Sequence, residues 1–180
     1  MLRIRVHGRG GEGAVTFAHI LCASATYDGK FGQSCMSPAI ERRGAPVEAY
    51  GRIGDKRIAE RGAVLNPDIV VVLNPTLVGA PTIEAGMNGQ GKLIVNSREK
   101  PQFSHEAVCI DATEIAMQTL GRPITNTAML GAFAAATGLV SIESLEKGLR
   151  MILSRFSDEK LARNVDAIKA GYDAVKKSIA

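Results

Sequence analysis

A continuous apolar run, DIVVVL at Asp68–Leu73, decides the fold class of this chain. The run has the length of a strand, and a strand that is apolar on both faces is typical of a parallel sheet between helices. NPTL follows at Asn74–Leu77 and predicts a turn. Ligands gather at the carboxyl edge of open α/β sheets, so Asn74 and Thr76 either bind a ligand there or cap the turn, and we expect the cap.

The N-terminal segment predicts a strand, a glycine loop and a helix. Apolar and polar residues alternate over Leu2–His7, which indicates a strand. GRGGEGA follows at Gly8–Ala14, and an apolar stripe at helical spacing runs through Ala14–Tyr27. Asp28-Gly29 is a typical end for that helix. These residues therefore predict one strand–loop–helix unit.

Two short strands and a long loop are expected between this unit and the central strand. The strands are predicted at Phe31–Met36 and Val47–Ile53, around a loop at Ser37–Pro46. Gly54-Asp55 indicates a turn into Lys56–Ile58. We therefore expect Val47–Ile53 and Lys56–Ile58 to form an inserted antiparallel hairpin.

The remainder of the chain predicts further strands and a series of helices. In order, we expect a short helix and turn at Pro81–Gly91, strands at Lys92–Asn96 and Ala107–Ile110, and helices at Asp111–Leu120, Asn126–Thr137, after Ser141 and after Ser157. Asn126–Thr137 is apolar on all sides, which indicates a buried helix with Asn126 or Thr127 as its N-cap. Because strands and helices alternate, we predict an α/β fold: one three-layer α/β/α domain over residues 1–180, with a mixed, mostly parallel sheet and the inserted hairpin.

Composition and charge exclude several classes of protein. Aromatic residues make up 4% and Trp is absent, which argues against base-stacking surfaces for single-stranded nucleic acid. The formal net charge is +4, but acids lie among the basic residues, so we expect acidic partner subunits or an anionic ligand and no nucleic acid. We expect no membrane span and no signal peptide, and hence a cytoplasmic location.

Cysteines and histidines give little sign of a metal site or of catalysis. The cysteines are odd in number and widely spaced, which fits no disulfide framework, zinc site or iron–sulfur site; they are Cys22, Cys35 and Cys109. The histidines lack a fixed partner in the local sequence; they are His7, His19 and His105. We therefore predict no metal site and no catalytic residue, and a structural role for His7, the strongest of the three candidates.

The glycine loop admits three interpretations. Gly8, Gly10 and Gly13 satisfy G-x-G-x-x-G between a strand and a helix, and such a loop binds the phosphates of NAD or FAD. Against this, the second strand has no acid for the ribose hydroxyls, and Asp28 precedes that strand. The alternatives are a tight strand–helix turn and a contact with an anion or a subunit in an assembled enzyme.

The loop before the third strand concentrates charge around a Gly and a Pro. Arg42 and Arg43 precede Gly44–Pro46, and either guanidinium is suited to a partner carboxylate, a substrate carboxylate or a coenzyme phosphate. The alternative is an ion pair within the chain, formed by Glu41 or Glu48 with one of these arginines.

Long motifs in this chain together resemble one family, the gamma subunit of 2-oxoacid:ferredoxin oxidoreductases, which includes pyruvate:ferredoxin oxidoreductase. The motifs are GRGGEGA at Gly8–Ala14, ERRGAPVEAY at Glu41–Tyr50, NTAMLG at Asn126–Gly131, GLVS at Gly138–Ser141 and NVDAI at Asn164–Ile168. The family usually has Gln where this chain has Glu12. A carboxylate cannot donate a hydrogen bond as an amide does, and it opposes an anion at a helix N-terminus.

The resemblance implies a subunit of an enzyme that oxidatively decarboxylates pyruvate or a related 2-oxoacid, such as phenylglyoxylate, to its acyl-coenzyme A. Electrons pass to ferredoxin or another acceptor. Thiamine diphosphate, Mg²⁺ and 4Fe–4S clusters belong in this family to alpha-, beta- and delta-type subunits, so no cofactor is expected on this chain alone and it is not catalytic by itself.

The gamma subunit is expected to help shape the approach of coenzyme A. The residues expected at a site for coenzyme A, another anion or a partner subunit are Gly10, Gly11, Glu12, Gly13, Arg42, Arg43, Asn74, Thr76 and Asn126. The alternative functions are a stand-alone Rossmann-like NAD- or FAD-binding protein and a purely structural scaffold subunit.

Overall fold

Six strands form one mixed sheet in the computed structural model, which describes residues 1–36 and 43–179. They are β1 (Leu2–Arg9), β2 (Phe31–Met36), β3 (Pro46–Gly54), β4 (Ile69–Val72), β5 (Lys92–Asn96) and β6 (Glu106–Ile110). Their order across the sheet is β2-β3-β1-β4-β5-β6. β1, β4, β5 and β6 are parallel neighbours, and β3 runs antiparallel to both β1 and β2. The predicted mixed, mostly parallel sheet is confirmed.

The inserted hairpin uses a different partner strand from the one predicted. β3 pairs with β2, with Phe31 opposite Gly54 and Met36 opposite Ala49. Lys56–Ile58, the expected partner, is an irregular connection. The prediction was wrong because β1 and β2 already occupy the two edges of β3, which leaves no edge for a third strand.

Five α-helices of the described residues pack on one face of the sheet. They are α1 (Ala14–Tyr27), α2 (Ala112–Leu120), α3 (Asn126–Thr137), α4 (Ile142–Ile152) and α5 (Asp158–Ile179). Their apolar side chains form one cluster with Ile4 and Val71 of the sheet. α3 and α5 approach closely, because a Cβ on Gly131 would lie 1.8 Å from the carbonyl oxygen of Ile168. α3 is consequently buried on most sides, as its apolar composition predicted.

The opposite face of the sheet is covered by turns and a short 3₁₀ helix. The buried apolar side chains on this face are Val70, Val72, Leu77, Ile83, Leu93 and Val95. The 3₁₀ helix is Pro75–Leu77, and Pro81–Gly91 consists mainly of turns instead of the predicted short helix. This layer is therefore the third layer of the predicted arrangement, built without an α-helix in its described residues.

Arg5 explains why Pro81–Gly91 is not helical. Its buried guanidinium donates through Nη2 to the carbonyl oxygens of Thr82, Ile83 and Ala85, at 3.1, 3.1 and 2.7 Å. An α-helix would need those carbonyl groups for its own N–H groups. A buried guanidinium needs acceptors, so the side chain from β1 organises this segment as turns.

Most helix ends follow the signals in the sequence. Ser141 Oγ accepts from the N–H of Ser144 at the start of α4, and Gly138 ends α3 with a φ of 64°. The N-cap of α3 is an exception, because Thr125 occupies that position and Asn126 is the first helical residue. The amide nitrogen of Asn126 reaches the glycine loop, and its Oδ1 accepts from the backbone N–H of Thr127 at 2.9 Å.

Candidate functional site

Three loops meet at one edge of the sheet. They are Gly10–Gly13, Arg43–Ala45 and Asn74–Thr76, which we call the loop junction. β1 and β4 are parallel, so the loops that follow them leave from the same edge. β3 is antiparallel to β1 and therefore begins at this edge, with Pro46 opposite Arg9. The sheet topology thus brings together three stretches that are distant in the sequence.

Glu12 fills the glycine loop with its own carboxylate. Its Oε2 accepts a hydrogen bond from the backbone N–H of Arg9 at 2.8 Å, and its Oε1 accepts one from the side-chain amide of Asn74. A carboxylate has acceptors only, so this one group satisfies a donor in the loop and a donor beyond β4. The Arg9 N–H is consequently not available to a bound phosphate.

Arg9 and Thr76 close a hydrogen-bonded ring with Glu12 and Asn74, which we call the Arg9 ring. Asn74 Oδ1 accepts from the N–H and the hydroxyl of Thr76 at 2.9 and 2.7 Å, so the predicted cap is confirmed. The guanidinium of Arg9 donates to Thr76 Oγ1 through Nε at 3.0 Å and Nη2 at 2.8 Å. Its Nη1 donates to the carbonyl oxygen of Gly44 at 3.0 Å. Arg9 was not among the predicted site residues.

The loop that carries Arg43 lies against the glycine loop. Gly10 donates its N–H to the carbonyl oxygen of Ala45 at 2.9 Å, and Gly44 donates to that of Gly10 at 3.0 Å. The side chain of Arg43 is exposed, and within residues 1–36 and 43–179 it has no hydrogen-bond or ion-pair partner. Glu48, one expected partner, instead accepts from the Tyr50 hydroxyl at 2.7 Å. Arg43 is therefore a cation presented at the loop junction.

Arg42 and Glu41 lie outside the described residues. The role predicted for Arg42 therefore stays a prediction.

Asn126 contacts the glycine loop from the other side. Its amide nitrogen lies 3.5 Å from the carbonyl oxygen of Gly13, and a Cβ on Gly13 would come within 2.4 Å of that nitrogen. Gly13 also has a φ of 84°, in the left-handed region. Both the left-handed backbone and the nearby Asn126 amide therefore require glycine at position 13. The contact between Asn126 and Gly13 joins the starts of α1 and α3.

A cavity of about 490 Å³ opens beside the glycine loop. It is lined by Gly11, Gly13, Thr16, Leu120, Arg122, Ile124, Asn126, Leu153, Phe156, Ser157, Glu159, Lys160, Arg163 and Asn164. α1, α3 and α5 begin at its walls, and the first turns of α1 and α3 carry no acidic residue. Helix N-termini favour negative charge. The starts of α1 and α3 therefore favour an anion in the cavity, whereas Asp158 and Glu159 occupy the first turn of α5.

Side chains around this cavity add cationic and apolar character. Lys160 lies over the ring of Phe156 at 5.9 Å, and Arg122 lines the cavity from between α2 and α3. Arg163 is paired with Glu159 at 2.8 Å. The cavity suits an anion that has an apolar part. Neither Arg122 nor Lys160 was predicted, because the cavity exists only where α5 packs beside the glycine loop.

The order of the strands does not match a dinucleotide-binding fold. In that fold the strand after the first helix lies parallel and next to the first strand. Here the antiparallel β3 lies between β1 and β2. Asp28 is at the far end of α1, where its carboxylate accepts from the hydroxyl groups of Ser141 and Ser144. The glycine pattern marks a tight strand–helix turn, and the NAD or FAD interpretation loses its support.

His7 is buried next to the loop junction, where its ring contacts the side chains of Arg5 and Glu48. Arg5 Nε donates to His7 Nε2 at 3.0 Å, so the ring carries its proton on Nδ1, which lies 3.6 Å from a carboxylate oxygen of Glu48. Burial lowers the pKa of His7 to about 4; Glu48 opposes this shift and Arg5 adds to it. His7 is therefore neutral near pH 7, which agrees with the structural role predicted for it.

The described residues contain neither a metal-binding cluster nor a membrane-spanning helix. Among the residues in the described ranges, no cluster of three or more His, Cys, Asp or Glu side chains is arranged to hold a metal ion. None of the helices in this part of the chain combines the length and apolar character that a membrane span needs. Burial raises the pKa of the Cys22 thiol to about 12, so it is not poised as a nucleophile.

Known proteins match this chain over nearly its whole length. The profile of the pyruvate ferredoxin/flavodoxin oxidoreductase family matches residues 3–174. Pyruvate synthase subunit PorC of Methanocaldococcus jannaschii is 44% identical over 178 residues, which cover 98% of both chains. The pyruvate/ketoisovalerate oxidoreductases common subunit gamma of Pyrococcus furiosus is 43% identical over 181 residues, which cover 96% of both. The crystal structure of pyruvate oxidoreductase subunit PORC from Thermotoga maritima has a TM-score of 0.84, 37% identity and coverage of 96% of both chains.

Proposed function

Since the chain belongs to the pyruvate ferredoxin/flavodoxin oxidoreductase family as a gamma-type subunit, we propose that it assembles with alpha-, beta- and delta-type subunits into a 2-oxoacid:ferredoxin oxidoreductase. The enzyme decarboxylates a 2-oxoacid to its acyl-coenzyme A, and two electrons leave one at a time to ferredoxin or another acceptor. The observation that carries the proposal is the match to named subunits over 98% of both chains.

We propose that thiamine diphosphate, Mg²⁺ and 4Fe–4S clusters belong to the other subunits. The three cysteines lie on α1, β2 and β6, and the described residues form no cluster of ligands for a metal ion. The cofactors carry the carbanion and radical chemistry when they are bound. The task left to this chain is to bind, orient and shield the substrates and to contact its partners.

We assign the approach of coenzyme A to the cavity beside the glycine loop. Coenzyme A combines phosphate groups with an adenine ring and an apolar arm. Lys160 and Arg122 offer charge to the phosphates, and Phe156 offers an apolar wall. The first turns of α1 and α3, which carry no acidic residue, add to the attraction. Arg43, at the adjoining loop junction, is available to a further phosphate or to a carboxylate of a partner subunit.

The choice of 2-oxoacid is assigned to the other subunits. The Pyrococcus furiosus relative is described as common to pyruvate and ketoisovalerate oxidoreductases. One gamma subunit that serves two such enzymes supports a role that does not depend on the side chain of the acid. Pyruvate is the first acid to test, because it is named in the relatives described above.

A purification from the source cells tests the proposal. The chain is tagged and isolated gently, and native mass, iron, thiamine and viologen reduction are measured with a panel of 2-oxoacids plus coenzyme A. We expect a large complex that contains iron and thiamine and is active on one or a few acids, including pyruvate. A lone, colourless monomer from extracts with 2-oxoacid oxidoreductase activity would contradict the assembly. The thermal stability of the isolated chain with NAD or FAD tests the alternative of a stand-alone dinucleotide-binding protein. Stabilisation by either compound would support that alternative.

A further inference from the structure

We propose that Arg9 and Thr76 are positioning residues that hold Arg43 in place for the anionic group it contacts. This inference rests on the proposed function of the loop junction. The anionic group is a phosphate of coenzyme A or a carboxylate of a partner subunit, and the test below separates the two.

Arg43 depends on its backbone for its position. Its exposed side chain has no partner in the described residues, so the placement of its loop sets the region that the guanidinium can reach. Two backbone hydrogen bonds join that loop to Gly10, and Arg9 Nη1 adds a bond to the carbonyl oxygen of Gly44. The Arg9 side chain therefore holds the backbone of Gly44, the residue next to Arg43.

The hydroxyl of Thr76 holds the guanidinium of Arg9 in turn. A hydroxyl has one donor and two acceptor positions. Thr76 Oγ1 donates to Asn74 Oδ1 at 2.7 Å and accepts from Nε and Nη2 of Arg9 at 3.0 and 2.8 Å, so all three positions are used. Removal of this single oxygen would release Arg9 from the end of β4.

Glu12 and Arg9 fix the direction of every hydrogen bond in the Arg9 ring. The Glu12 carboxylate can only accept and the Arg9 guanidinium can only donate. Asn74 must therefore turn its amide nitrogen to Glu12 and its oxygen to Thr76. The ring has one arrangement, so the Arg43 loop is ordered before its ligand or partner arrives. Prior ordering lowers the conformational entropy lost on binding.

A double-mutant cycle in the assembled enzyme tests this inference. The variants are Thr76→Val, which keeps the shape and removes the hydroxyl, Thr76→Ser, which keeps the hydroxyl, Arg43→Ala, and Thr76→Val combined with Arg43→Ala. KM for coenzyme A, kcat and the affinity for the partner subunits are measured for each. A change confined to KM assigns the anion to coenzyme A, and a change in assembly assigns it to a partner carboxylate.

We expect Thr76→Val either to raise KM for coenzyme A or to weaken the affinity for the partner subunits about fivefold, with kcat unchanged. Thr76→Ser should behave as the wild type. The combined variant should change KM or the subunit affinity no more than Arg43→Ala alone does, because Thr76 acts through Arg43. Effects that multiply in the combined variant would overturn the inference, as would equal damage from Thr76→Ser and Thr76→Val.

Hydrogen exchange in the full chain separates this inference from the proposed function. The N–H of Gly44, which donates to the carbonyl oxygen of Gly10, should exchange several times faster in Thr76→Val than in Thr76→Ser. Unchanged exchange at Gly44 overturns the positioning role and leaves the proposed function standing. Normal assembly and normal kinetics in Arg43→Ala overturn the function proposed for the loop junction, whatever the exchange result.

Discussion

Glu12 accepts a hydrogen bond from the side-chain amide of Asn74, across the carboxyl edge of the sheet. The other oxygen of the same carboxylate accepts from the backbone N–H of Arg9. A carboxylate within a glycine loop would oppose a bound phosphate, but here it serves as an internal bridge. The glycine loop therefore has a structural use for its acid.

Replacement of this acid by its amide should destabilise the chain. In Glu12→Gln one amide nitrogen must face either the N–H of Arg9 or the amide nitrogen of Asn74, so two donors oppose each other. We expect a loss of about 1–2 kcal/mol in the free energy of unfolding, measured by urea denaturation. Glu146→Gln, at an exposed pair with Arg150, is the matched control and should change little. Equal stability of Glu12→Gln and wild type would contradict the bridge.

Addition of a methyl group at Gly13 should cost more than the same change at Gly89. Gly13→Ala strains a left-handed backbone and pushes the new Cβ against Asn126, so we expect a loss of about 2–4 kcal/mol. Gly89→Ala is the control, since a Cβ there has open space and an ordinary φ. The combination of Gly13→Ala with Asn126→Ala should recover part of the loss, because the collision is relieved while the strained φ remains. Additive losses would argue against the contact.

The cavity beside the glycine loop gives a prediction for the assembled enzyme. Lys160→Ala should raise KM for coenzyme A about tenfold with kcat unchanged, because one charge-assisted contact to a phosphate is worth about 1.5 kcal/mol. The effect should shrink at high salt, which screens the charge. Lys169→Ala, an exposed lysine on the same helix that does not line the cavity, is the matched control. Equal KM values for the two variants would place coenzyme A elsewhere and favour the scaffold interpretation.

The buried His7 predicts a dependence of stability on pH. Its pKa falls from an ordinary 6.5 to about 4 on folding, so the unfolded chain binds the proton more readily between these values. The contribution to stability is complete above pH 6.5 and is lost as the pH falls towards 4, with a full effect of about 3 kcal/mol. Urea denaturation from pH 7 to pH 4 should show this slope.

His7→Gln should lose that part of the slope, whereas His19→Gln should keep it. The neighbours Arg5, Glu48 and Tyr50 are retained in both variants, so the difference belongs to the His7 ring. An unchanged slope in His7→Gln would mean that another group carries the pH dependence.

Local sequence patterns were sufficient for the elements of the fold and for most of the helix ends. The apolar run at Asp68–Leu73 predicted a buried parallel strand, and four of its residues form β4. Ser141 and Gly138 act at helix ends as predicted, since caps depend on residues within one turn. The carboxyl-edge rule that selected Asn74 applies equally to Asn96, which ends β5 but was not among the predicted site residues. Its amide donates to the carbonyl oxygen of Leu73.

The failures came from contacts between distant residues. Lys56–Ile58 does not pair with β3 as predicted, because β2 pairs with that edge of β3. Pro81–Gly91 follows turns because Arg5, about 80 positions earlier, takes its carbonyl groups. Neither effect leaves a trace in the local pattern of apolar residues.

The sequence by itself determined the family, the α/β class and the glycine, arginine and asparagine motifs, because periodicity, turn chemistry and motifs are local properties of the chain. Only the tertiary structure decided that Glu12 bridges Arg9 and Asn74, that Arg43 is held beside them, and that Lys160 faces a cavity at the glycine loop. Those relationships depend on strand order and helix packing, which place distant residues within a few ångströms of one another, and no pattern along the chain encodes these distances.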